Sequence, residues 1–354
     1  MNIDIERVKE RLKAMYEAES AEQTEDAVSS KELYIGWAKK LGLKVKEDAS
    51  GSIVIRLQGR DPYLPSIVMS SRLDQVLDGG KYDGALGCIG ALEVCETLLE
   101  DDYVPEHPIE IVIFTNQGSC RDTIREPESV HCLIELHADQ GRILDRNNIP
   151  VGIVSSGAGI RRYQVTVDGT PGHAGTTAME ERKDALVASA AFISRLPALV
   201  KEEGEAETLA TVGKISVEPD LVNIIPSRCK FSLEFRDQTN ELIDRMKEKA
   251  EGLLQKICEE WQVSYEIEHI SSNYPGKMCG WVKTIIKKAA EKLDYEYKIM
   301  SSGASYDALT LAEEVSTGMI FVPGAGEECD TAEESVKGCN VLLQTVLDID
   351  NMSR

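Results

Sequence analysis

Apolar residues follow two rhythms along this chain, and the change from one to the other divides it. Ile3, Ile5, Val8, Leu12 and Met15 recur at helical spacing, which predicts an amphipathic N-terminal helix packed on the body. Residues 31–42 predict a second helix ending near Gly42, and Ser52 to Leu57 a strand closed by Gly59. Ser66-Ile67-Val68-Met69 reads as a buried strand, and Gly84 to Glu100 returns to helical spacing. Ile109 to Thr115 is rich enough in β-branched residues for a central strand, with Leu133 to His137 and Val151 to Val154 as two more. Strands alternating with helices imply a mostly parallel sheet covered on both faces.

Around Ser155-Ser156-Gly157-Ala158-Gly159 the rhythm changes. Tyr163 to Val167 alternates as a half-exposed strand does, and the turn Gly169-Thr170-Pro171-Gly172 follows. A helix over 182–196, strands over 208–217 and 229–236, a helix over 239–260 and a strand over 263–269 complete a small α+β pattern. The first rhythm resumes after Pro275, with a helix from Gly280, a loop from Ser301 to Asp307, a strand from Thr317 to Val322 and a helix after Asp330. The fold class expected is α/β: a parallel-sheet domain over 1–158 and 271–354, with an α+β domain inserted over 159–270.

Composition adds exclusions. A net charge of −22 argues against nucleic acid, which needs a basic footprint. No apolar run approaches membrane-spanning length, and the polar N-terminus lacks the apolar region of a signal peptide. Nine cysteines without CxxC pairs read as reduced thiols, so a cytoplasmic protein is expected.

Candidate chemistry gathers first at Ser71 to Gly84, a loop at a strand's C-terminal edge, where open α/β sheets bind ligands. Arg72 and Asp74 are two apart and point the same way while the strand lasts. Of the five histidines, His107 and His131 fit surface or packing roles, and His269 is assigned none. His137 ends a predicted strand and reads equally as a ligand or a packed residue. His173 lies in a glycine-rich turn, where presenting a side chain competes with structural hydrogen bonding.

Four motifs in order carry a resemblance: Tyr82-Asp83-Gly84-Ala85-Leu86-Gly87, Leu136-His137-Ala138-Asp139-Gln140-Gly141, Gly172-His173-Ala174-Gly175-Thr176-Thr177-Ala178-Met179 and Val222-Asn223-Ile224-Ile225-Pro226. With them the chain, from about residue 30 onward, resembles the N-carbamoyl-L-amino-acid hydrolase and allantoate amidohydrolase family, within the dizinc aminoacylases and exopeptidases. The resemblance implies a zinc-peptidase-like domain interrupted by a lid that also dimerises, two zinc ions sharing an aspartate, and a glutamate as general base. Asp83 matches the bridging aspartate, Asp74 an acid that orients a ligand, and His137 a further ligand. Arg236 matches the family's carboxylate-binding arginine, His173 and Asn223 its lid residues for substrate and oxyanion, and Gln140 a pocket residue.

The departures from the pattern fall on the metal side. Arg72 stands where the family has a histidine ligand, and arginine has no lone pair to give. The glutamate pair that supplies base and ligand is replaced by Gln117 and Gly118, or with a one-residue shift by Asn116 and Gln117. Asp330 stands for the last histidine ligand, and Tyr306 for a substrate-recognition histidine. Two zinc ions beside Arg72 would repel it, whereas buried carboxylates such as Asp83 and Asp330 need a counter-charge that Arg72 can supply. The expectations are therefore an amidohydrolase-family homodimer that takes a small carboxylate, without a metal cofactor and without the family's chemistry. The alternatives are an active hydrolase with zinc or manganese on a reduced site of Asp83, His137 and Asp330, and an Arg72 that merely points to solvent.

Overall fold

A computed structural model describes residues 1–21, 29–73, 84–115, 119–304, 306–324 and 331–352. It separates into a larger unit, Met1–Ser156 with Lys277–Ser302 and Tyr306–Arg354, and a smaller one, Gly157–Gly276 with Gly303–Ser305.

The larger unit is built on a mostly parallel sheet. Its strands lie in the order Lys44–Glu47, Ile53–Leu57, Ile109–Phe114, Ser66–Arg72, Val130–Asp139, Thr317–Pro323 and Val151–Gly157, with Tyr297–Ser302 also paired to the last. Ile109–Phe114, Ser66–Arg72, Val130–Asp139 and Thr317–Pro323 run parallel to their neighbours in that set. Their side chains alternate between two cores. Ile67, Met69, Ile134 and Leu136 face the helices Ile5–Ala21, Ala85–Glu100, Gly280–Lys292 and Thr331–Asn351, while Val68, Leu133, Phe114 and Phe321 face the short helices Ser119–Thr123 and Asp307–Leu311. The helix Ala85–Glu100 lies so close that a Cβ on Gly87 would meet the Leu136 carbonyl oxygen at 2.4 Å.

The smaller unit is an antiparallel sheet in the order Ile215–Glu218, Arg228–Asp237, Gly159–Asp168, Ser264–Asn273, with Leu209–Thr211 also on Arg228–Asp237. Tyr163, Val165, Phe231, Leu233 and Phe235 pack under the helices Ala185–Glu203 and Asn240–Glu260. The strand expected over 208–217 is two strands, because at the Gly213 break the Ser232 hydroxyl accepts from the backbone N–H groups of Gly213 and Lys214. The helix expected to stop before Pro197 continues to Glu203. One missing N–H is tolerated there because Leu199 and Val200 pack against the same core. Among the described residues no helix is long and apolar enough to cross a membrane, and eight cysteines are free thiols.

Candidate functional site

The two-residue alternation that fills the second core of the larger unit turns polar at the C-terminal edge of the sheet. On one strand Val68 is followed on the same face by Ser70 and Arg72, and on its parallel neighbour Leu133 is followed by Glu135 and His137. Each strand therefore begins as core and ends as chemistry. The short helix Asp307–Leu311 covers this edge, anchored by Ala308 and Leu309 in the core beneath.

Arg72 does not point to solvent. Its Nε donates to Asp307 Oδ2 at 2.5 Å and its Nη2 to Oδ1 at 3.2 Å, a two-pronged grip on a carboxylate that is 2% exposed. Burial pushes the Asp307 carboxyl above its usual range and the neighbouring Glu135 adds to the push, while Arg72 opposes it. Glu135 is buried too; Oε2 accepts from the Ala308 backbone N–H at 2.9 Å, and Oε1 lies 3.2 Å from His137 Nε2. The Tyr306 ring sits 4.7 Å from that of His137. Cys120 bonds to Asp307, and burial, then the charge of Asp307, push its thiol up to about 12, which keeps it protonated and unreactive near neutrality.

Zinc needs ligands with lone pairs and an open position for water. Arg72 offers none and is committed to Asp307, and His137 Nε2 is turned to Glu135, so the described part of this edge does not fit a dimetal centre. Among the described residues no group of three or more His, Cys, Asp or Glu is arranged to hold a metal. Asp74, Asp83, Asn116, Gln117, Gly118 and Asp330 lie outside the described residues. Arg72, expected to supply the counter-charge for Asp83 and Asp330, pairs among the described residues with Asp307.

Gln140 is exposed just past the strand, in a turn held by the buried Asp139, whose carboxylate accepts from the N–H groups of Gly141 and Leu144.

The smaller unit brings His173 and Asn223 together. The Gly172–His173 strand pairs with Ile224–Ile225, and the Ala174 N–H donates to the Asn223 carbonyl at 2.9 Å. Arg182 pins the turn through the carbonyls of Ala174 and Thr177. His173 is exposed and its Nδ1 accepts from the Gly175 N–H at 3.1 Å, so a neutral ring carries its proton on Nε2, facing outward as a donor.

Arg236 lies on the sheet face opposite the helices. Its Nε donates to Glu234 Oε1 at 2.7 Å and its Nη1 to the Gly303 carbonyl at 2.9 Å, so it is a placed arginine and not a loose surface one.

The model of peptidase family M20/M25/M40 matches residues 71–348. The chain belongs to that family. An N-carbamoyl-L-amino acid amidohydrolase of Geobacillus stearothermophilus is 31% identical over 368 aligned positions, covering 90% of each chain. An allantoate amidohydrolase of Bacillus subtilis is 30% identical, covering 80% of each. Among solved structures, a hydantoinase/carbamoylase-family amidase of Burkholderia multivorans aligns over 98% of both chains with a TM-score of 0.84 and 26% identity. The sequence motifs pointed to this family.

Sequence reasoning missed Glu135, Asp307 and Cys120. Glu135 carried a usable signal, being a charged residue two before His137 in an otherwise apolar strand. Asp307 carried one as well, directly after Tyr306 in a loop already singled out.

Proposed function

We propose that this M20-family chain is an amidohydrolase relative that recognises a small carboxylate carrying a carbamoyl or ureido group, and that its centre no longer runs dimetal hydrolysis. The relatives named above support the ligand class, as do the retained Arg236, Asn223 and His173. The observation that carries the altered centre is the Arg72–Asp307 pair, which puts a permanent cation where the family places a metal ligand. Neither Asn116 nor Gln117 can serve as the general base in place of a glutamate. Exposed Leu221 and Val222, beside Asn223, support pairing of two copies through the smaller unit.

His137, buried at the sheet edge, favours a second reading in which one metal survives on Asp83, His137 and Asp330. Assays of N-carbamoyl-L-amino acids, allantoate and ureidoglycolate with added zinc, manganese or cobalt separate the two. The first reading expects binding without turnover. Turnover that disappears in Asp83→Ala contradicts it and supports the second.

A further inference from the structure

The carboxylate that holds Arg236 holds a second arginine as well. Glu234 and Arg236 are two apart on the strand Arg228–Asp237 and share a face, and Arg162 lies directly opposite Glu234 on the neighbouring strand. The two oxygens are divided between them: Oε1 accepts from Arg236 Nε at 2.7 Å, and Oε2 from Arg162 Nε at 2.6 Å. Burial alone would raise the Glu234 carboxyl, but hydrogen bonds from Arg236 and Arg162 outweigh it and hold the group below its usual range. The trio carries two positive charges and one negative. It therefore keeps a net attraction for an anion while its own glutamate is spent on position.

The geometry limits what Arg236 can still do. Nε is taken by Glu234 and Nη1 by the Gly303 carbonyl, so the guanidinium plane is fixed at two points and Nη2 is the corner these bonds leave. A long side chain that would otherwise lose rotamer freedom on gripping a ligand is already ordered. With 29% and 41% of their side chains exposed, Arg236 and Arg162 are accessible to a ligand.

We infer that Glu234 is a positioning residue that presents the terminal edge of Arg236 to a ligand carboxylate, and that Arg162 offsets its charge so that this sheet face stays anion-attracting. This rests on the carboxylate-binding reading above and extends it to two residues outside the family motifs.

The test compares N-carbamoyl-L-alanine with its carboxamide by calorimetry, on the full-length protein and on Glu234→Gln and Arg162→Met. Glu234→Gln keeps the shape and removes the charge. It is expected to weaken the carboxylate about tenfold, or about 1.4 kcal/mol, and to leave the carboxamide unchanged. Arg162→Met is expected to weaken the carboxylate about threefold, because Glu234 then faces the ligand less fully neutralised. A ligand-free readout is the Arg236 Nε–H resonance in a ¹⁵N-labelled sample. It should be protected from solvent exchange in the parent protein and lose that protection in Glu234→Ala, which has no side-chain acceptor. A variant that only melts earlier, with the carboxylate-to-carboxamide ratio unchanged, overturns the assignment. A parent protein that binds neither compound overturns the carboxylate reading and the assignment with it, and the Nε–H signal then tells whether the contact itself exists.

Discussion

Arg72 and Arg236 are both arginines gripped by a carboxylate, yet the two grips are built to opposite ends. Arg72 spends Nε and Nη2 on Asp307, which is nearly inaccessible and whose carboxyl is pushed up by burial. Arg236 spends Nε on Glu234, which two arginines hold down, and stays partly exposed. The first closes a site by satisfying its cation internally, and the second orders a cation while leaving it reachable. Arg72 is thus tolerated at this largely buried edge because Asp307 lies within reach.

The largest effect that sharpens this contrast should come from Asp307→Ala. Leaving Arg72 without its partner at a mostly buried position is expected to cost about 3–5 kcal/mol in denaturant unfolding. The double variant Arg72→Met/Asp307→Leu should recover most of that loss, since a buried ion pair replaced by apolar side chains is often neutral. If the double variant is as unstable as the single one, the pair is not the cause. Next, Arg236→Ala should weaken a carboxylate ligand by about 1.5–3 kcal/mol, the range for hydrogen bonds to charged groups, with little change in stability.

The two carboxylates should also titrate with opposite signs. Asp307 holds its proton more tightly folded than unfolded, so its contribution to stability is complete below the ordinary carboxylate range and is lost as pH rises through the raised folded value. Glu234 does the reverse: its contribution is present above the ordinary range and is lost as pH falls through the lowered folded value. Unfolding free energy against pH for Asp307→Asn and Glu234→Gln should lose these two slopes separately. If both variants flatten the same limb, the contrast fails. The smallest effect is chemical: Cys120, with its thiol near 12, should resist a thiol reagent in the folded protein at neutral pH and react only on unfolding.

Much of the fold was legible because burial and sequence rhythm agree in the central strands. Ile109–Phe114, apolar but for Glu110, and Thr317–Pro323, apolar but for Thr317, are buried on both faces over most of their length. Lys44–Glu47 went unread because it is an edge strand with almost no buried side chain, held by its ladder to Ile53–Leu57. Tyr297–Ser302 was hidden by an exposed Ile299, which reverses the expected alternation. At the candidate site, Arg72 and His137 were visible as motif positions, but their neighbours were not. Asp307 is 235 residues from Arg72 along the chain, and only the return of the strand order after the insertion brings them to one edge. Glu234 and Arg162 meet across a strand pair whose register no local pattern specifies.

The central claim, that a closed Arg72–Asp307 pair stands in place of a metal ligand, is tested most directly by metal stoichiometry. Protein prepared with excess zinc and manganese and then dialysed would be analysed by elemental mass spectrometry. The account predicts no tightly retained metal, and two equivalents per chain would contradict it.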